Sequence, residues 1–176
     1  MNALLATAVI ISISVLVSAQ YEVFKTNEEA DAFVEKWCTA YKNSWVDYHD
    51  EDKLWAKDDP FWAMHTENLQ FCRNADCFDG LKGVIDGYNE SGLSKLMIAK
   101  NLNCDIIMYH TKSVLLEIIW DLVWNNGNPM VFKEVAMIYL DENGLVSQVH
   151  HHHKKEITDQ FTENWMQNIP QQKEDL

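Results

Sequence analysis

The amino-acid sequence predicts an α+β fold in which N-terminal helices pack in a strongly curved antiparallel sheet, followed by a C-terminal helix or tail. Apolar residues in the first half recur at three- and four-residue spacing, which is typical of helices with one packed face. The second half contains four long segments rich in β-branched and aromatic residues. The joints between them, HTK, NNGNP and DENG, are turn-forming sequences of hairpin length. The four segments therefore predict a meander that can wrap the first helix and enclose a cavity.

The composition fits a single globular domain. The chain has 176 residues, of which 47% are hydrophobic and 23% are charged, and this is enough to bury a core. Its net charge of -13 argues against nucleic acid and anionic membranes as partners, because both are bound through an excess of Lys and Arg.

The first 19 residues have the features of a signal peptide. The uncharged apolar run ALLATAVIISISVLV is followed by the small residues of VSA, just before Gln20. An uncleaved membrane anchor is the alternative, because the run approaches the length that spans a bilayer and Met1-Asn2 carries no basic residue. The processing site favours cleavage and a secreted protein with no membrane contact. We therefore expect a signal peptide (1–19), a domain (20–155) and a C-terminal amphipathic helix or tail (156–176).

Secretion makes disulfides the expected state of the four cysteines. Of the three possible connectivities we favour Cys72–Cys77, whose short CRNADC spacing suits a loop clip, together with Cys38–Cys104. A Cys/His metal site is the weaker alternative, because the paired C-x-x-C spacing of structural zinc is absent. The sequon NES at Asn89 predicts a glycoprotein if the chain is secreted.

Local patterns predict the individual elements. Thr26 and Glu29 form a capping box ahead of an apolar helical face. A short second helix is predicted over DEDKLWAK, and Asp79 is a candidate N-cap for a third helix. The segment PFWAMHTENLQF between them is predicted as a strand. A closing helix, or alternatively a partner-binding arm, is predicted from apolar residues at helical spacing: Ile157, Phe161, Trp165 and Ile169.

The chain resembles the nuclear-transport-factor-2-like cone fold, specifically its ketosteroid isomerase and SnoaL-like polyketide cyclase branches. The segment WDLVWNNGNPMVFKEVAMIYLDENGLVSQV is similar to the last three strands of a ketosteroid isomerase, and FDGLKGVIDGYNE is similar to its third helix. The resemblance covers residues 27–155 and implies a cone-shaped α+β barrel. It implies no single activity, because this fold hosts isomerases, cyclases, dehydratases and non-catalytic binders.

The resemblance also implies catalytic positions if the protein is an enzyme. Tyr41 matches the oxyanion-donating tyrosine of the isomerase's first helix, and Tyr88 matches a supporting tyrosine. Ala136 stands where the isomerase has a protonated aspartate, so that part of its oxyanion hole is missing. The catalytic base falls near the start of the first strand, where His65 is our first choice and Glu67 our second.

Four consecutive histidines, His150 to His153, occupy the last predicted strand. An engineered tag would lie at a terminus, so a metal site or a cavity wall remains. Because strand side chains alternate between faces, the register implied by the resemblance turns His151 and His153 inward and His150 and His152 outward. Zinc held by His151, His153 and Glu134 is the weaker alternative, and we expect no metal. The predicted ligand-binding residues are Tyr88, Ile118, Trp120, Leu122, Glu134, Ile138, Val149, His151 and His153.

Two functions of different classes follow. The first is a secreted carrier whose apolar pocket binds a small hydrophobic molecule. The alternative is an isomerase, cyclase or dehydratase in which His65 or Glu67 removes a proton next to a carbonyl, Tyr41 stabilises the enolate, and His151 or His153 returns the proton. Neither needs a cofactor. The missing oxyanion aspartate favours the carrier, whereas the two tyrosines favour the enzyme. The resemblance also implies a homodimer through the outer sheet face.

Overall fold

The computed structural model describes residues 22–46 and 54–168. The predicted signal peptide and Ile169 lie outside the described residues. A 3-10 turn, Trp62–Met64, precedes the first strand. The helices and strands, in chain order, are α1 (Asn27–Val46), β1 (His65–Arg73), β2 (Asp76–Asp79), α2 (Leu81–Ser91), α3 (Leu93–Leu96), β3 (Met97–His110), β4 (Ser113–Trp124), β5 (Pro129–Leu140), β6 (Val146–His152) and α4 (Lys155–Asn168).

The six strands form one curved mixed sheet in the order β2-β1-β6-β5-β4-β3. Strands β3 to β6 are the predicted antiparallel meander, and the predicted α+β class is confirmed. Strand β1 pairs with β6 in parallel. The sequence did not predict this pairing, because hairpin signals act only between strands that follow each other along the chain.

Helix α1 begins at the predicted capping box. The backbone N–H of Glu29 donates to Oγ1 of Thr26 at 3.2 Å, and the N–H of Thr26 donates to Oε2 of Glu29 at 3.3 Å. These bonds satisfy donors that a helix start leaves open. The inner face of α1 buries Trp37 and Tyr41, whose rings both contact Phe61. The helix therefore forms part of the core that the sheet curves around.

Both favoured disulfides are present, so the predicted connectivity is confirmed. Cys38–Cys104 joins α1 to β3, and Cys72–Cys77 closes the β1–β2 hairpin. The smaller disulfide lies directly beside Arg73, the last residue of β1. It therefore restrains the end of the strand from which that side chain projects.

Three local predictions were wrong. Residues 54–57 are not helical, and the rest of that predicted helix lies outside the described residues. Asp79 does not cap a helix but ends β2, where it accepts a hydrogen bond from Nε2 of Gln70 at 3.2 Å. Helix α2 instead begins after Gly80, whose φ is 82°. Glycine adopts this conformation readily because it has no Cβ. The predicted strand starts at His65, because the 3-10 turn occupies the residues before it.

Strands β4 to β6 alternate between a buried inner face and an outer face, as the predicted register requires. His151 is 1% exposed, whereas His152 is exposed and His150 is half-buried. Asp121, which lies between the buried residues Trp120 and Leu122 on β4, is also exposed. The inner face consists of buried residues that include Ile118, Trp120, Leu122, Glu134, Ala136, Ile138 and Val149.

Helix α4 packs across the β4–β5 part of the sheet. The ring of Phe161 lies 5.1 Å from that of Trp124 and 5.5 Å from that of Phe132. No residue of α4 is fully buried, so the helix is held by one partly buried stripe. It is the predicted closing helix. Within the described ranges, no helix combines the length and apolar character that crossing a membrane requires.

Candidate functional site

A cavity of about 130 Å³ lies between α1, the sheet and α4. Its polar lining consists mainly of Tyr41, Arg73, Glu134 and His153. These four groups influence one another electrostatically, so they lie on neighbouring parts of the wall. The rest of the wall is largely apolar and includes Trp45, Leu93, Met97, Leu122, Phe132 and Phe161.

Glu134 on β5 is a buried carboxylate with both oxygens engaged. Nε1 of Trp120 donates to its Oε1 at 3.1 Å. Nδ1 of His151 lies 2.9 Å from its Oε2. This is within ion-pair distance, but the geometry is not that of a hydrogen bond. Burial alone would raise the pKa of Glu134, but His151, Arg73 and Trp120 outweigh it and lower that pKa to about 2. Glu134 is therefore an anion at neutral pH and a weak base.

Arg73 supplies the cation of the site. Its Nη2 donates to the hydroxyl of Tyr88 at 2.9 Å, and its Cζ lies 5.6 Å from the centre of the Tyr88 ring. The hydroxyls of Tyr88 and Tyr41 lie close enough for each to affect the pKa of the other. Burial raises the pKa of both tyrosines, so both hydroxyls keep their protons at neutral pH. Arg73 and Tyr41 thus present hydrogen-bond donors to the cavity.

His153 is a partly buried imidazole on the cavity wall. Its ring lies 5.2 Å from that of Phe132, and its backbone N–H donates to Oδ1 of Asn74 at 3.2 Å. Burial, more than any neighbouring charge, lowers the pKa of His153. Its Nδ1 is buried without a hydrogen-bond partner among the described residues. At neutral pH it is an uncharged imidazole beside the cavity.

The structure brings together only some of the predicted site residues. Tyr88 and His151 lie behind the cavity wall, each in contact with a lining side chain. Ile118, Ile138 and Val149 do not line the cavity, because they belong to the packed core, where buried side chains leave no room for a ligand. The predicted residues that do line it are Tyr41, Trp120, Leu122, Glu134 and His153.

The two predicted bases do not line the cavity. Nδ1 of His65 lies 2.9 Å from the carbonyl oxygen of Phe61, and since a carbonyl only accepts, Nδ1 carries the ring proton. The ring of Phe61 lies 4.5 Å from that of Tyr41 and 4.8 Å from that of His65, so it separates the two. Glu67 is exposed and paired with Lys57. Neither residue has the position beside Tyr41 that the predicted proton abstraction requires.

His65 should instead make the fold sensitive to acid. Burial lowers its pKa from 6.5 to about 4, so between these values the unfolded chain binds the proton and the folded chain does not. The stability is therefore full above pH 6.5 and falls by about 3 kcal/mol as the pH drops to 4. Urea unfolding between pH 7 and pH 4 should show a smaller loss for His65→Asn, whose amide can still donate to Phe61. Equal losses in the two proteins would contradict this role.

The predicted glycosylation sequon is engaged inside the fold. Oδ1 of Asn89 accepts from the backbone N–H of Trp55 at 2.9 Å, and its Nδ2 donates to the carbonyl of Trp55 at 3.1 Å. The side chain is partly buried. Asn89 therefore serves as a clamp on the backbone, which is not the surface-loop setting that the sequon predicted.

The zinc alternative would have used Glu134, His151 and His153. His151 contacts Glu134, but the ring of His153 packs on Phe132. In the part of the chain that the structure describes, no group of three or more His, Cys, Asp or Glu side chains is arranged to hold a metal ion.

Sequence analysis missed Arg73, because CRNADC was interpreted only as a disulfide clip. A signal was present: the chain's 14 basic residues include a single arginine. Arginine presents a planar fork of donors that lysine cannot replace, so its sole occurrence marks a specialised position. The apolar lining residues on α3, β3 and α4 carried no comparable signal, since their placement depends on how the helices dock.

Comparison with known proteins identifies the fold. No family model and no curated protein matches the chain. A presumed isomerase from Rhodopseudomonas palustris is similar in structure, with 8% identity, a TM-score of 0.59 and coverage of 74% of this chain and 96% of the other. A presumed isomerase from Bacillus subtilis is also similar, with 12% identity, a TM-score of 0.55 and coverage of 75% of this chain and 96% of the other. The BvnE pinacolase of Penicillium brevicompactum has 12% identity, a TM-score of 0.52 and coverage of 82% of this chain and 97% of the other.

Likeness at such low identity establishes the fold and leaves the activity open. The fold of this chain is therefore the nuclear-transport-factor-2-like cone fold that its sequence resembles.

Proposed function

We propose that the protein binds a small, mainly apolar molecule in the cavity between α1, the sheet and α4. The observation that carries the proposal is a concave, mainly apolar cavity with a few polar groups on one part of its wall, the usual form of a small-molecule site. Polar groups so placed orient a ligand, while the apolar wall supplies most of the binding free energy.

The volume limits the size of the buried part of the ligand. An engineered cavity of about 150 Å³ with apolar walls takes up benzene, so about 130 Å³ accommodates a group of about one ring. Trp45 and Phe132 present aromatic surface to such a group. Each methylene transferred from water to this environment contributes about 0.8 kcal/mol.

The polar groups of the cavity favour binding over catalysis. Glu134 is a weak base with both oxygens engaged, and His65 and Glu67 do not line the cavity. Ala136, at the position of the isomerase's oxyanion aspartate, offers no donor. The carrier therefore needs no group beyond those present, whereas the enzyme would need a different base from the one predicted.

Filling the cavity should abolish binding without unfolding the protein. We expect Leu122→Phe to weaken binding of toluene, an uncharged ring-sized probe, by at least about tenfold, because the added ring atoms occupy the ligand's space. Stability should stay level or rise by about 0.5–2 kcal/mol, as in other cavity-filling changes. Ligand-observed NMR and thermal unfolding measure the two effects.

Val123→Phe is the matched control, since Val123 is the next residue of β4 and points to the outer face. It should leave toluene binding unchanged. Toluene that binds equally well to both variants would refute the proposed site.

Catalysis remains the second candidate because of His153. This uncharged imidazole lines the cavity with Tyr41 and Arg73, so it has the chemical form of a base beside two donors that could stabilise an enolate. A cofactor-free isomerase, cyclase or dehydratase would use it to remove a proton next to a carbonyl. Such an enzyme would exchange those hydrogens of acetophenone for deuterium in D₂O, whereas a carrier would leave them in place.

We propose that the protein acts outside the cell after removal of residues 1–19. The two disulfides support this proposal, since such bonds persist in oxidising compartments. The implied homodimer also remains a proposal. The exposed apolar residues Ile107, Met108 and Val131 on β3 and β5 are compatible with it.

A further inference from the structure

Arg73 is a cation without a close counter-charge. Its described hydrogen bond goes to the neutral hydroxyl of Tyr88, and its Nε is buried without a partner among the described residues. No carboxylate in the described ranges lies within 4.0 Å of the guanidinium. Glu134 favours the charged guanidinium from a greater distance, but none of the described carboxylates contacts its donors directly, so these donors are open to an anion from outside the chain.

Glu134 does not fill that role, although it lines the same cavity. Its two oxygens are already engaged by Trp120 and His151. The donors left over at the cavity are those of Arg73 together with the hydroxyl of Tyr41.

The backbone at Arg73 is held in place by a disulfide and by strand pairing on both sides. The Cys72–Cys77 disulfide restrains the residue before it, and its Cα pairs with His151 on β6 and with Asp76 on β2. A strand paired on both sides and clipped by a disulfide holds its side chain at a set place in the wall. A fixed guanidinium fork is suited to a carboxylate, which it can bind through two parallel hydrogen bonds.

We infer that the ligand is a small monocarboxylate, with its carboxylate on Arg73 and Tyr41 and a ring-sized apolar body among Trp45, Leu122 and Phe132. This inference rests on the proposed small-molecule function and names its ligand class. The single cation and the apolar remainder of the wall disfavour dicarboxylates and phosphates. The volume of about 130 Å³ disfavours the complete burial of a long fatty chain.

The test compares phenylacetate with phenylacetamide, which has nearly the same shape but no charge. Calorimetric titration of the disulfide-bonded protein at pH 7 should show phenylacetate binding at least about tenfold more tightly, the usual gain from hydrogen bonds to a charged group. Arg73→Met should bring the ratio of the two affinities close to one. Arg73→Lys, which keeps the charge and loses the fork, should give an intermediate ratio.

Two further variants separate the guanidinium from its surroundings. Tyr88→Phe removes the described partner of Arg73, so the preference for the acid should persist or increase. Lys133→Met removes an exposed positive charge from β5 and should leave the ratio unchanged. An equal reduction of the ratio in Lys133→Met and Arg73→Met would show a general charge effect and overturn the inference.

The outcomes distinguish the inference from the proposal beneath it. Equal binding of phenylacetate and phenylacetamide to the native protein would overturn the carboxylate and leave small-molecule binding intact. Failure of toluene and both of these compounds to bind would overturn the proposed function itself. The comparison on the native protein is decisive even if Arg73→Met does not fold.

Discussion

Replacing Cys38 and Cys104 together by alanine should lower the free energy of unfolding by about 4 kcal/mol. The disulfide joins residues 66 positions apart, and a cross-link stabilises a protein mainly by restricting its unfolded chain, more so for a longer loop. Both half-cystines are only partly buried, so truncation leaves little cavity. Urea unfolding of the oxidised protein and of the double variant, without reductant, measures the difference.

The second disulfide provides a comparison with a much shorter loop; Cys72 is buried, so its replacement by alanine also leaves a small cavity. Cys72 and Cys77 are 5 positions apart, for which the same relation gives about 2 kcal/mol. The larger loss should therefore follow removal of Cys38–Cys104. If removing Cys72–Cys77 costs as much or more, restriction of the unfolded chain is not the main source of stability at these sites.

Glu134→Ala should destabilise the protein by about 3–5 kcal/mol, the usual cost of removing one partner from a buried ion pair. The change leaves Nε1 of Trp120 and the ring of His151 without their acceptor. Both groups are buried, so each loses a polar partner in a largely apolar setting. Thermal and urea unfolding at neutral pH measure the loss.

Two comparisons isolate the buried pair. Replacing Glu134 and His151 together by leucine should recover part of the stability, because the imidazole no longer faces an empty space, while Arg73 still loses the electrostatic support of Glu134. Glu67→Ala breaks the exposed pair with Lys57 and should change stability by less than about 1 kcal/mol. If the double variant is no more stable than Glu134→Ala, the pair is not the cause.

Glu134 should also make the stability of the fold depend on pH, in a lower pH range than His65 does. The folded pKa of Glu134, about 2, lies below its ordinary value of 4.5. Its ionised form therefore stabilises the fold above pH 4.5, and this contribution is lost as the pH falls towards 2. The loss due to His65 occurs above pH 4, so titration distinguishes the two residues.

The features of this fold that the sequence predicts correctly are those that depend on local sequence patterns. Turn residues and hydrophobic segments predicted β3 to β6, and the register carried by the resemblance correctly turned His151 inward and His152 outward. Thr26 and Glu29 marked the start of α1 because a capping box involves residues only three positions apart. Each of these features depends on neighbours along the chain or on strict alternation.

The rest depends on contacts between distant parts of the chain. No local signal pairs β1 with β6, and without that pairing Arg73 could not be placed beside His151. His65 was predicted as a base because it lies where the resemblance places the isomerase's base, but the ring of Phe61, from the preceding turn, packs against it. Resemblance at the level of fold transfers a position along a strand more reliably than it transfers what the side chain contacts.

The parallel pairing of β1 with β6 also means that β1 must wait, during synthesis, until its partner strand has been made. About 70 residues separate the two strands, and at about 5–20 residues per second the ribosome needs about 4–14 s to make them. During this interval one edge of β1 has no partner and is a template for wrong pairing. A hairpin with β2, locked early by Cys72–Cys77, would protect the other edge. The smaller disulfide would then matter more for the yield of folded protein than for the stability of the finished molecule.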